Sequence, residues 1–203
     1  FYIGNQSLFS LISSGKKTGI VLNIGDGLSE IVPFFDGFLI PRKAKIVNVG
    51  GDAITNAYMN KKELYNLNYQ KKEFYIGMKE NLGYIALNYN DEIHKDEYSI
   101  EKTYKFFDGK EITLSQDRFI IPEGLFRPHF LRINENGVDY WLFSIIQQCD
   151  MEFRKDLYSN ILLSGGSTMF KGFKERLQKE IDNLVNPTIN VKIESPENRN
   201  IAT

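Results

Sequence analysis

Apolar positions along the chain switch between two periods, and the switching predicts an α/β protein. Phe1, Leu8, Leu11 and Ile12 fall at roughly helical spacing, and Gly15 ends that stretch. Ile20 to Ile24 is a short apolar run rich in β-branched residues, broken by Gly25-Asp26-Gly27. Leu28 to Val32 is extended again, so the segment predicts a hairpin with suitable turn chemistry. Pro33 interrupts. Phe34–Ile40 then predicts a third strand and Lys45–Val49 a fourth, with Pro41 in the connection.

Gly50-Gly51-Asp52 opens a helical stretch to about Lys62, and Tyr65–Gln70 is polar and irregular. Phe74, Met78 and Leu82 stand at i, i+4 and i+8 of a predicted helix over Phe74–Tyr84. Ile85–Tyr89 predicts a strand, and Asn90–Glu97 an acidic, solvated loop. Tyr98–Phe107, the turn Asp108-Gly109, and Lys110–Leu114 give the strongest hairpin signal in the chain. Phe119–Phe130 is apolar and broken by Pro122 and Pro128. Gly137–Cys149 predicts a helix with Val138, Trp141, Leu142, Ile145 and Ile146 on one face. Asn160–Leu163 predicts a buried strand, followed by Ser164-Gly165-Gly166-Ser167. Lys171–Leu184 is an amphipathic helix with Phe173, Leu177, Ile181 and Leu184 inward, and Asn190–Ile193 is extended.

Composition narrows the field. The 203 residues carry 25 Lys+Arg against 26 Asp+Glu, a formal net charge of −1, with 42% apolar residues. That balance fits an ordinary folded domain and gives no electrostatic case for nucleic acid or anionic membrane as partner. No apolar run approaches the roughly 18–20 residues of a membrane helix. Cys149 is the single cysteine, so no internal disulfide forms and an intracellular protein is expected. One cysteine and two histidines, His94 and His129, make a zinc site improbable.

Two glycine-rich turns follow the buried strands: Asn23-Ile24-Gly25-Asp26-Gly27 and Leu163-Ser164-Gly165-Gly166-Ser167-Thr168. Backbone amides in such turns can approach phosphates because glycine has no Cβ, although glycine pairs also serve turn geometry alone. The other nucleotide, hydrolase and metal motifs are absent: no G-x-x-x-x-G-K-[ST], G-x-G-x-x-G, G-x-S-x-G or H-E-x-x-H. Cys149, on the apolar face of a predicted helix, is expected to be a small core residue.

At these two turns the sequence resembles actin and the actin-related proteins. Thr18 to Gly27, with Leu8–Gly15 before it and Ile31-Val32-Pro33 and Asp36-Gly37 after it, is similar to their second phosphate loop. Arg154 to Tyr158, Leu162 to Phe170 and Leu177 to Ile181 are similar to their nucleotide-site segment and following helix. The resemblance is ordered along nearly the whole chain and loosest at Tyr58–Tyr75 and Asp91–Thr113. It implies an α/β, actin-like ATPase (ribonuclease H-like) domain with an inserted smaller α/β subdomain. Residues 1–49 and 133–203 would form the larger subdomain and 50–132 the inserted one. The chain would be the second half of a two-lobed molecule, with the first phosphate loop upstream of Phe1 and the last helices after Thr203. A lone half is then expected not to bind ATP tightly or to be active.

By the same resemblance, Gly25, Asp26 and Gly27 contact phosphate and ribose. Gly51 lies near the sugar, and Lys79 with Glu80 near base and ribose. Gly165, Gly166, Ser167, Met169 and Phe170 line the phosphate and adenine side. Gln6 matches the glutamine that positions the attacking water. Asn23 stands where the family has an aspartate serving the metal shell and the water, and Glu30 where actin has a histidine linked to that water. Asparagine neither accepts a proton as a carboxylate does nor offers negative charge to a cation, so slow hydrolysis is expected. The implied cofactors are ATP and Mg²⁺ or Ca²⁺. The implied partners are actin or actin-related subunits and actin-binding proteins, with no direct nucleic acid and no membrane. The implied role is cytoskeletal and cytoplasmic, the alternative being a nuclear scaffold subunit of a chromatin-remodelling complex. A metabolic kinase or chaperone ATPase of the same superfold is disfavoured, because Arg154–Ile181 follows actin's wording and not only its topology.

Overall fold

A computed structural model describes residues 6–63, 65 and 71–199. In chain order the first elements are α1 (Gln6–Ser13), β1 (Gly19–Ile24), β2 (Ser29–Phe35), β3 (Phe38–Leu39), β4 (Lys45–Val47), α2 (Gly51–Asn60) and α3 (Lys72–Leu82). Then come α4 (Tyr89–Ile93), α5 (Glu97–Ile100), β5 (Lys102–Lys105), β6 (Glu111–Leu114) and α6 (Asp117–Ile120). Two 3₁₀ turns, Pro122–Leu125 and Pro128–Leu131, lead to α7 (Val138–Gln148), α8 (Met151–Ser159) and β7 (Ile161–Ser164). A 3₁₀ turn over Gly166–Met169, then α9 (Phe173–Leu184) and β8 (Ile193–Glu194), complete the order.

One mixed sheet organises the molecule, in the order β3-β2-β1-β7-β8, with β4 also on β2. β1 pairs antiparallel with β2 through the expected Gly-Asp-Gly hairpin and parallel with β7 on its other side. A strand covered on both faces should be apolar throughout, and every residue of β1 is buried. Alternation then sorts its side chains. Ile20, Leu22 and Ile24 enter the main core, while Val21 joins Leu11, Val32, Phe34 and Leu162 in a second cluster against α1. Asn23 has the parity of Val21, so it projects to the α1 face.

The structure corrects several expectations. Pro33 does not interrupt β2; it lies within it, opposite Ile20. A strand residue points its N–H and C=O to the same side. Pro33's carbonyl accepts from Ile40 N at 3.0 Å, so its missing donor faces the outer edge, between the residues paired to β4 and those paired to β3. The third strand is only two residues long, because Asp36 and Gly37 form a turn with positive φ. Ile85–Tyr89 is not a strand: only a bridge between Tyr84 and Lys171 remains. Asn88, accepting from Asn90 N at 3.2 Å, instead starts the short helix α4 inside the expected acidic loop. Asn190–Ile193 narrows to Ile193–Glu194. The helix α8 carries only Leu157 and Tyr158 as buried residues, too few to register as a period.

The second hairpin forms, with Lys102 opposite Leu114 and Lys105 opposite Glu111. Its first strand is shorter than the expected Tyr98–Phe107: Glu97–Ile100 are the helix α5, started by Asp96 accepting from Tyr98 N, and only Lys102–Lys105 pair. Its inward residues Ile112 and Leu114 join the main core. α7 buries Val138, Leu142, Ile145 and Ile146. α9 buries Phe173, Leu177 and Ile181, whereas Leu184 is exposed. Arg176 shares the buried face of α9. It forms two hydrogen bonds with the fully buried Glu123, at 2.9 and 3.1 Å, and donates to Ala86 O at 2.8 Å. Cys149 is buried and donates to Ile145 O, a core residue as expected. Among the described residues, no helix is long and apolar enough to cross a membrane.

Candidate functional site

The parallel pairing of β1 and β7 sets Asn23 beside Ser164 and ends both strands at one edge of the sheet. Each strand then runs into a glycine turn, so turns far apart in sequence meet side by side. Crevices at the carboxyl ends of parallel strands are where α/β proteins bind ligands. Ser167 Oγ donates to Gly25 O at 3.0 Å and ties the two turns together. Gly165 sits at φ +86°, where a Cβ would come within 2.6 Å of Asn23 Oδ1 and closer still to Ile24 O. Glycine is therefore required there by both backbone and neighbour. Arrival of α2 completes the floor: Gly51 N donates to Gly25 O at 3.0 Å and Asp52 N to Asp26 O at 2.7 Å.

A cleft of about 1160 Å³ opens over these turns. On the strand side it is lined by Gln6, Asn23, Gly25, Asp26, Gly165, Gly166 and Ser167. On the α3 side it is lined by Lys79 and Glu80, with Met169 and Phe170 facing them. Three residues implied by the resemblance do not line it. Gly27 is exposed in the turn, and Gly51 lies behind Lys79 and Ser167. Glu30 is half-buried on β2, directly opposite Asn23 in register.

Asn23 is nearly buried, and its Oδ1 has no hydrogen-bond partner among the described residues. Such an atom is costly to leave unmade unless something outside the protein satisfies it. Lys79 is buried too, and its Nζ donates to Gly51 O at 3.1 Å. Burial lowers its pKa, opposed by the nearby carboxylates of Asp26 and Glu80. Gly83 lets the Phe170 ring close over the end of α3, since a Cβ would stand 2.6 Å from Phe170 Cε1.

Sequence reasoning missed two contributors. Arg199 clamps the second turn: Nε donates to Thr168 Oγ1 at 2.9 Å, Nη2 to Thr168 O at 3.0 Å, and Gly165 N donates back to Arg199 O at 2.9 Å. The other is the far end of the cleft, where Tyr84, Lys102 and Arg118 extend the lining. Neither has a local motif; both depend on which distant segments the fold brings together.

The amides of the glycine turns and the buried Lys79 cation can donate to a phosphate-bearing ligand, and the unsatisfied Asn23 oxygen, an acceptor, suits a water or a cation beside it. No group of three or more His, Cys, Asp or Glu among the described residues could hold a metal ion by itself. A cation here would draw on Asn23 and Asp26 together with oxygens of the ligand, as magnesium bound with phosphates does.

The Actin family profile matches residues 1–68 and 59–203. The chain belongs to the Actin family. It is 38% identical over 200 residues to the protein described as putative actin-29 of Dictyostelium discoideum, which covers 95% of this chain. The chain spans about half of that relative's length, 52%. Its mixed sheet and α/β content are those of an actin-type ATPase fold. Of the two segments of loosest resemblance in this actin-family chain, Tyr58–Tyr75 lies partly outside the described residues, and Asp91–Thr113 holds most of α4, all of α5 and most of the β5–β6 hairpin.

Proposed function

We propose that this chain supplies one wall of an ATP-binding cleft in a cytoskeletal actin or actin-related protein. The observation that carries the reading is the joining of Gly25–Gly27 and Gly165–Ser167 at one sheet edge, beside the buried Lys79, in a chain of the Actin family. Residues 1–49 and 133–203 act as the larger subdomain and 50–132 as the inserted one, with α2 and α3 closing on the turns between them. ATP enters with a divalent cation, Mg²⁺ or Ca²⁺. Backbone amides of the glycine turns take phosphate oxygens, Asp26 and Glu80 take ribose hydroxyls, and Phe170 with Met169 packs on the base. Gln6, at the start of α1 and facing the cleft, orients water. Asn23 can hold a water by hydrogen bonds but supplies neither negative charge nor a proton acceptor, so hydrolysis is slow. Nucleotide state then governs assembly and contacts with actin-type partners in the cytoplasm.

Calorimetric titration of the full-length protein with Mg-ATP tests the binding step. The expected dissociation constant is on the order of 1 μM or tighter, about −8 kcal/mol. Absence of saturable binding overturns the reading. A second reading, a non-assembling nuclear scaffold subunit, is favoured by the loss of carboxylate at Asn23. Pelleting under polymerising salt separates them: filaments support the first, and a soluble protein that co-purifies with remodeller subunits supports the second.

A further inference from the structure

The cleft does not end at Phe170. It continues past the Leu82-Gly83-Tyr84 strip into a lobe lined by Glu92, Lys95, Ser99, Ile100, Lys102 and Arg118. At about 1160 Å³ the whole exceeds the roughly 300–1,000 Å³ usual for a single small-molecule pocket, leaving room beyond a nucleotide. The charges in this lobe do not balance. Lys95 pairs with Glu92 at 2.9 Å, and Glu92 also accepts from the Tyr84 hydroxyl at 2.9 Å, so the one carboxylate there is already used. Arg118 and Lys102 make no ion pair among the described residues. Both cations are nonetheless held in place rather than free to swing. Arg118 donates through Nε to Leu82 O at 3.0 Å and through Nη1 to Ile100 O, and lies 4.9 Å over the Tyr84 ring. Lys102 donates to Asn81 O at 2.9 Å. Carbonyl bonds orient a cation without neutralising it, and low-dielectric walls concentrate its field.

We propose that this lobe is an anion subsite, which takes a carboxylate- or phosphate-bearing group beside the nucleotide. Arg118 supplies Nη2, which makes no hydrogen bond among the described residues, and Lys102 supplies the second charge. Tyr84 and Ile100 give the group an apolar floor. The anion has two sources: a free small polyanion, or an acidic substituent on the base of the bound nucleotide. The tethered case rests on the ATP reading above, whereas the free case does not.

The test uses the full-length protein and two probes, citrate alone and N6-carboxymethyl-ATP compared with ATP. Saturable citrate binding at low salt, weakened at least tenfold in Lys102→Gln, supports the free source. A carboxymethyl analogue that binds at least tenfold tighter than ATP, with the ratio of the two affinities falling toward one in Lys102→Gln, supports the tethered one. Lys102 is exposed, so that variant folds. If citrate does not bind and the analogue matches ATP, the subsite is overturned. If ATP fails to bind but citrate binds in a Lys102-dependent way, the nucleotide reading falls and the anion subsite stands.

Discussion

Gly165 and Gly166 are neighbours with opposite reasons for being glycine, and exchanging each for alanine separates fold from binding. At Gly165 a Cβ meets Asn23 Oδ1 at 2.6 Å and the Ile24 carbonyl closer still, with φ +86° and ψ 149°. That region is almost glycine-only and costs about 1–3 kcal/mol for another residue. Forcing a methyl against backbone in a packed site adds about 1–3 kcal/mol. Gly165→Ala should therefore lose about 4 kcal/mol. For a protein of this size that is a fall in Tm of roughly 8–16 °C, readable by differential scanning calorimetry. At Gly166 an added Cβ meets nothing within 4 Å, and the residue is exposed in the cleft. Gly166→Ala should leave stability within about 0.5 kcal/mol. It should weaken Mg-ATP binding, because the methyl stands where phosphate oxygens approach the amides. Equal Tm losses in the two variants, or an unchanged Tm in Gly165→Ala, would refute the argument.

Other changes have equally definite outcomes. Arg176→Met leaves the buried Glu123 carboxylate with only the longer Arg127 ion pair, at 3.4 Å, and should cost about 3 kcal/mol in urea unfolding, whereas Arg176→Met with Glu123→Leu should recover much of it. Asn23→Asp restores a carboxylate to the cleft and should raise single-turnover ATP hydrolysis on the order of 10²-fold; an unchanged rate would show that the step is limited elsewhere. Lys79 has its pKa lowered below 10.5 by burial, so its charge is lost as pH rises toward that value. Mg-ATP affinity should fall, and stability rise, in that window, with both trends flattened in Lys79→Gln. Glu194 has its pKa lowered below 4.5 by hydrogen bonds from Lys16 and Lys192. The stability it gives is present above pH 4.5 and lost on acidification below it. The Tm difference between wild type and Glu194→Gln should be small but measurable at pH 7 and shrink as the pH falls below 4.5.

The sequence was legible where local chemistry and tertiary context agree. The Asp108-Gly109 hairpin formed because Gly109 supplies the positive φ of its turn, and the Gly25-Asp26-Gly27 hairpin because two extended apolar runs flank a polar turn. α7 and α9 formed because each has one continuous apolar face. Pro33 was misleading because its harm depends on which side its nitrogen faces, and that is fixed by β3 and β4, not by its neighbours in sequence. α8 was hidden because its fully buried residues are two neighbours, Leu157 and Tyr158, with only the partly buried Phe153 beside them. In the cleft, glycine turns and Lys79 were legible as a motif, and most of those positions do line it. Arg199 was not, since it acts by holding Gly165 and Thr168, the latter from 31 residues away. Arg118 and Lys102 likewise gain meaning from making no ion pair among the described residues, a property of space rather than of order along the chain.

The bond from Ser167 to Gly25 spans 142 residues, and it has a kinetic consequence. The β1–β2 hairpin can form by itself in about 1–10 μs. The parallel partner β7 cannot dock until everything between has collapsed, because non-local pairing must offset loop closure before it is rewarded. The cleft is thus a late product of folding. A defect in an intervening helix that does not line the cleft, such as α7, should delay formation of the cleft without altering the finished site. Recovery of nucleotide binding after dilution from denaturant would then time the last step of refolding, behind the return of secondary structure.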